Sequence, residues 1–125
     1  MLRAQRRLLR RGGRLATLVI EIPPGLDARD RRRAGAAGPV GVATASTYPS
    51  LLRSAGLADV EQTDQTREYR TTAAAWLRER QRQEQALREV IGDDRYEEHI
   101  VNGRNAIAAI DDGLLGRTLY IARRT

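Results

Sequence analysis

Apolar residues change their spacing several times along the chain, and each change marks a predicted element. Leu2, Leu8 and Leu9 lie among Arg, Ala and Gln, which predicts a short helix over 2–11 that stops at Gly12-Gly13. Arg10 and Arg11 fall in its last turn, where positive charge suits the helix dipole. Leu15 to Ile20 then form a nearly unbroken apolar run, closed by Glu21-Ile22 and Pro23-Pro24. A run without alternation predicts a strand over 14–22 with both faces covered, as in the parallel strands of a layered α/β sheet.

The periodicity disappears over 23–46. Pro23, Pro24, Gly25, Gly35, Gly38, Pro39 and Gly41, with the run Arg29-Asp30-Arg31-Arg32-Arg33, predict a long solvated loop. A short helix over 47–56 opens at Thr47-Tyr48-Pro49, with Pro in its first turn and Gly56 at its end. Residues 58–66 are polar and lightly β-branched, the pattern of an edge strand with one solvated face.

Two helices are predicted over 71–113. The first, over 71–91, has Thr71 or Thr72 as cap, a stripe of Ala73, Trp76, Leu77, Leu87, Val90 and Ile91, and a Glu84/Arg88 pair one turn apart. Gly92 ends it. Asp93-Asp94 opens the second, which carries Tyr96, Ile100, Ile107 and Ile110, with Asn102-Gly103 as a predicted kink or split. A final strand over 117–123 sets Leu119 and Ile121 on one face. Strands alternating with helices predict an α/β fold, yet three strands make a thin doubly wound sheet. The functional unit is therefore expected to extend beyond this chain.

Composition narrows this picture. The apolar share of 41% with no Phe and one Trp predicts a lean, aliphatic core within one domain. Net charge is +6 and all of it comes from Arg, since Lys is absent. Arg, Ala and Gly abundance with missing Lys and Phe matches a GC-rich coding bias. The runs Arg3–Arg14 and Arg29–Arg33 also hold no aromatic side chain to stack a base, so nucleic-acid binding is disfavoured. Without Cys there is no disulfide, thiolate catalysis or thiolate metal site, and a cytoplasmic location is expected. The basic N-terminus imitates a secretory leader, but its apolar core is short, is interrupted by Glu21 and lacks a small-residue cleavage site. No run reaches the ~20 residues of a membrane span.

Three stretches carry a resemblance. Leu8-Leu9-Arg10-Arg11-Gly12-Gly13-Arg14-Leu15 is close to the L-[RK]-P-G-G-x-L that precedes the fifth strand of class I S-adenosylmethionine-dependent methyltransferases, with Arg11 in place of the usual Pro. Leu51-Leu52-Arg53-Ser54-Ala55-Gly56-Leu57-Ala58-Asp59-Val60 resembles that family's L-L-x-x-A-G-[FL]-x-x-V passage. Asp64-Gln65-Thr66-Arg67-Glu68-Tyr69 followed by Trp76 is similar to the small-molecule members that place a helical substrate-covering insert there.

The resemblance spans nearly the whole chain and implies the C-terminal half of such a sheet, strands five, six and seven, with the seventh antiparallel between the other two. The glycine-rich loop and ribose-binding acid that the family uses for its cofactor would lie upstream. The resemblance thus implies S-adenosylmethionine for the parent fold, not bound by this chain alone, and a chain inactive by itself. No catalytic residue is carried over.

Ligands of open α/β sheets sit beyond the carboxyl ends of the strands. Glu21, Tyr48, Tyr69 and Trp76 are therefore the residues expected to border a small-molecule substrate pocket once the missing half is supplied, with Trp76 on an apolar stripe competing as core. His99, the only His, is expected on a helix surface, and no spacing predicts a metal site. The alternative is a non-catalytic interaction module that self-associates, or pairs with a missing N-terminal half, through its leading strand.

Overall fold

The structure is a computed structural model that describes residues 1–39, 42 and 46–125. Helix α1 (Leu2–Leu8) precedes Gly12, whose φ of +76° turns the chain into strand β1 (Arg14–Glu21). There follow α2 (Ala28–Ala37), α3 (Tyr48–Ser54), β2 (Leu57–Asp64), α4 (Thr66–Arg82), α5 (Glu84–Ile91), α6 (Asp93–Asp111) and β3 (Gly116–Arg124). The sheet order is β1-β3-β2, with β3 antiparallel to both neighbours. Strands β1 and β2 are thus parallel to each other and end on the same side of the sheet, as the resemblance implied.

Each face of the sheet has its own core. On one, α1 and α3 cover a cluster of Leu52, Leu57, Tyr120 and Ala122, joined by Leu2, Leu9, Leu15, Val19 and Val60. Helix α1 is tied down by polar contacts. Arg124 donates to the carbonyls of Arg6 and Leu9 at the end of α1, a favourable place for a cation, and Arg6 Nε donates to the Gly56 carbonyl at 3.1 Å. The other core is built by Ala34, Tyr69, Ala109, Ile110, Leu114 and Leu115, and it reaches only the Ile20–Ile22 end of the first strand.

That asymmetry corrects the expectation that β1 is covered on both faces. Its burial alternates, Leu18 is 51% exposed, and its one partner is β3, in antiparallel register. Leu18 lies opposite Leu119 and Ala16 opposite Ile121, so these four residues share the part of their sheet face beyond the reach of the second core. The outer edge of β1 has no partner among the described residues.

Further expectations change. Helix α1 ends at Leu8 and leaves Arg10 and Arg11 outside it. The 23–46 loop contains α2, which starts where the Asp27 side chain accepts the Asp30 N–H at 2.8 Å and is held by Ala34 on the core and by an Arg33–Asp112 ion pair. Ala is its only apolar residue type, so no stripe announced it. The part of that loop on 40, 41 and 43–45 lies outside the described residues. The helix expected to begin at 71 begins at Thr66, because Asp64 accepts both the backbone N–H and the hydroxyl of Thr66.

The same helix breaks at Gln83, within the polar run Arg78–Gln85 that has no apolar anchor, so the insert contains three helices and not two. Helix α6 runs continuously through Asn102-Gly103. Among the described residues, no helix is long and apolar enough to cross a membrane.

Candidate functional site

A cleft of about 760 Å³ opens where β1 and β2 end, lined by those strand ends, by β3 and by residues of α2 and α3. Pairing register explains its floor. Glu21 stands opposite Gly116, Val19 opposite Thr118, and Asp64 opposite Thr118 on the other side, so these residues share one face with Tyr120 and Gln62. Thr47 caps α3 by accepting the Ser50 N–H at 3.4 Å, with Pro49 in the first turn, and this sets Tyr48 over the sheet.

The most ordered part of the cleft is a triad of side chains. The Tyr120 hydroxyl donates to Glu21 Oε1 at 2.5 Å, and the Tyr48 ring stacks on the Tyr120 ring with centroids 5.0 Å apart and planes 28° apart. Burial, with the neighbouring Glu21 carboxylate, raises the Tyr120 hydroxyl well above its ordinary value, so it stays protonated and serves as a donor. At the β2 end, hydrogen bonds from the Thr66 hydroxyl and N–H hold the Asp64 carboxyl below its usual range. Arg31 of α2 and Arg53 of α3 also line the cleft.

Of the four residues expected to border a pocket, the structure brings Glu21 and Tyr48 together here. Tyr69 is buried in the second core, where Arg117 lies over its ring at 5.4 Å and burial raises its hydroxyl. Trp76 is 59% exposed on α4 and lines neither cleft nor core. His99 sits half-buried on α6, away from the cleft. Tyr120 and Asp64 were missed by the sequence reasoning. Alternation in the last strand could have found the first, since Tyr120 and Ala122 are buried while Leu119 and Ile121 take the more open face.

The donor set also bears on cofactor binding. The turn after β1 is Pro23-Pro24-Gly25, and proline carries no N–H to offer a carboxylate or a ribose. β2 runs almost directly into α4 through Gln65, with the Asp64 carboxylate already bonded to Thr66. Neither strand end thus offers the glycine-rich loop that the resemblance links to S-adenosylmethionine. The described residues also hold no group of three or more His, Cys, Asp or Glu able to ligate a metal.

Known structures share this fold. The chain superposes on phosphoethanolamine N-methyltransferase 2 of Haemonchus contortus, solved with phosphomonomethylethanolamine and S-adenosylhomocysteine, with a TM-score of 0.80 and 10% identity over 98% of this chain and 29% of that one. A second structure of that enzyme, with S-adenosyl-L-methionine, gives a TM-score of 0.73 and 15% identity over the same shares. A Galdieria sulphuraria protein described as a sarcosine dimethylglycine methyltransferase gives 0.82 and 14% over 99% of this chain and 46% of that one. The fold is that of part of an S-adenosylmethionine-dependent methyltransferase, and the chain spans less than half the length of these proteins, consistent with a C-terminal half. No family model and no curated protein matches the sequence.

Proposed function

We propose that this chain supplies the acceptor-side, C-terminal half of an S-adenosylmethionine-dependent methyltransferase for a small molecule, and that methyl transfer requires the remaining, N-terminal half of the sheet. One observation carries the reading. An antiparallel β3 lies between parallel β1 and β2, in a chain 98% or more of which superposes on methyltransferases at TM-scores of 0.80 and 0.82. Methyl transfer depends mainly on alignment of the acceptor. This chain's part is to hold that acceptor, with Glu21, Tyr48 and Tyr120 as the ordered wall. No residue of the cleft is assigned a proton-transfer role.

The missing half has a place to join. A parallel strand added to the free edge of β1 would pair its backbone groups, and the accompanying helices would cover Ala16, Leu18, Leu119 and Ile121. Calorimetric titration of S-adenosylmethionine into the chain alone should give no binding heat, and micromolar affinity would overturn the division of labour. The same titration, with the reading frame upstream of Met1 added if it encodes a strand and glycine-rich loop, should restore binding.

A second reading rests on Leu18, which at 51% exposure beside an unpaired strand edge also suits self-association without catalysis. Sedimentation at several concentrations separates the two, since a stable homodimer that excludes an added N-terminal half supports the second.

A further inference from the structure

The net charge of +6 is not spread along the chain. Arg3, Arg6, Arg7, Arg10, Arg11 and Arg14 all precede the first acidic residue, Glu21, and beyond them 16 Arg are balanced by 16 acidic residues. A coding bias explains Arg in place of Lys, but it does not gather the whole excess into one segment.

The fold turns most of that segment outward. Leu2 and Leu9 pack into the core of Leu52 and Tyr120, and Arg6 donates to the Gly56 carbonyl. The remaining face of α1 is Arg3, Ala4, Arg7 and Leu8, all exposed, as the helical period requires. Arg10 and Arg11 follow, exposed, in the connection to β1. Among the described residues Arg3, Arg7, Arg10 and Arg11 have no ion-pair partner, whereas Arg33, Arg70, Arg82, Arg88 and Arg123 do. Leu8, 87% exposed, sits among them. This strip is separate from the cleft, whose lining begins at Val19. It also lies on the α1 side of the sheet, away from the face of Ala16, Leu18, Leu119 and Ile121.

Two properties single out a partner. Four free guanidiniums between residues 3 and 11 match a surface dense in phosphate and carboxylate. An exposed leucine among them gains only where those anions border an apolar layer, which a nucleic-acid backbone lacks. The strip also has no aromatic ring to stack on a base. We infer that α1 and the turn after it dock on an anionic lipid bilayer, with the four guanidiniums among the headgroups and Leu8 entering the acyl boundary. The helix lies along the surface and does not cross it. This docking is independent of methyl transfer.

The test is co-sedimentation of the full chain with phosphatidylcholine vesicles, with and without phosphatidylserine. Binding is expected only with phosphatidylserine and should fall as salt is added. Each Arg near such a surface contributes about fivefold, so the double variant Arg3→Gln, Arg7→Gln should bind about 25-fold more weakly. A control pair, Arg78→Gln with Arg104→Gln, removes the same charge from exposed positions of α4 and α6 that have no ion-pair partner, and should cost less than about twofold. Leu8→Gln should weaken binding about fourfold or more, the factor for each methylene that enters the acyl region. All five positions are exposed, and circular dichroism confirms that each variant is folded.

No vesicle binding, equal binding to both vesicle types, or equal losses from the two Arg pairs overturns the inference. So does a Leu8→Gln protein that binds as the parent does, or tighter binding to duplex DNA than to the anionic vesicles.

Discussion

Leu52→Ala is the most direct test of whether α3 holds the cleft together. Leu52 is 0% exposed and packs in a cluster with Leu57, Tyr120 and Ala122, which are 2%, 3% and 1% exposed. Those neighbours belong to β2 and β3, whose ladder hydrogen bonds keep them from moving into a void. Truncation therefore leaves a cavity, and a cost of about 3 kcal/mol is expected, within the range for Leu→Ala in cores that collapse poorly. With an unfolding entropy of about 2.1 cal/mol/K per residue, a chain of 125 residues should lose about 11 °C in Tm. Leu8→Ala, at a residue 87% exposed, should stay within about 0.5 kcal/mol. Urea unfolding followed by circular dichroism measures both. A Leu52→Ala cost below about 1 kcal/mol would refute the docking of α3, and with it the placement of Tyr48 over Tyr120.

Three further outcomes are expected. Gly56 has φ +84°, and a Cβ there would come 2.6 Å from Arg6 Nε, so Gly56→Ala should cost about 1–2 kcal/mol and loosen α1; an unchanged urea midpoint would count against the α1–Gly56 contact. Burial raises the Tyr120 hydroxyl above its ordinary value, so above about pH 10 the unfolded chain sheds a proton that the folded one keeps. Stability is thus fully present below about pH 10 and falls above it, and Tyr120→Phe should flatten that fall; parallel curves for the two proteins between pH 8.5 and 11 would contradict it. Leu18→Asn should leave the isolated chain within about 0.5 kcal/mol of the parent yet weaken any self-association or joining to an N-terminal half, as sedimentation would show.

How much of this was legible in the sequence depended on which force shaped each element. The apolar run of β1 and the Thr47–Pro49 opening of α3 rest on local backbone chemistry and could be read directly, whereas α1 ends at Leu8, before the stop expected at Gly12-Gly13. Helix α2 could not, because its evidence is an Asp27 cap, alanine-sized packing and a long-range Arg33–Asp112 pair. The early start of α4 was hidden for a similar reason, since Asp64 works as a strand residue and as the acceptor for Thr66 at once. Trp76 misled through its size. An apolar stripe predicts that a helix has an inner face, but the inward residues beside it are Tyr69 and Ala73, and the indole turns outward.

The site was only half legible, and the sheet topology explains why. Glu21 and Tyr48 lie at a strand end and a helix start, places where chain order alone suggests a ligand. Tyr120 comes from the interior of the last strand, 99 residues from the Glu21 it bonds. It reaches the cleft only because β3 runs against its neighbours, so the first half of that strand lies beside the last residues of both β1 and β2. In an all-parallel arrangement the starting residues of β3 would fall at the opposite end of the sheet. Reversal of this one strand therefore puts Thr118 and Tyr120 beside Glu21 and Asp64, and it gives a three-stranded sheet a polar, aromatic wall at one end.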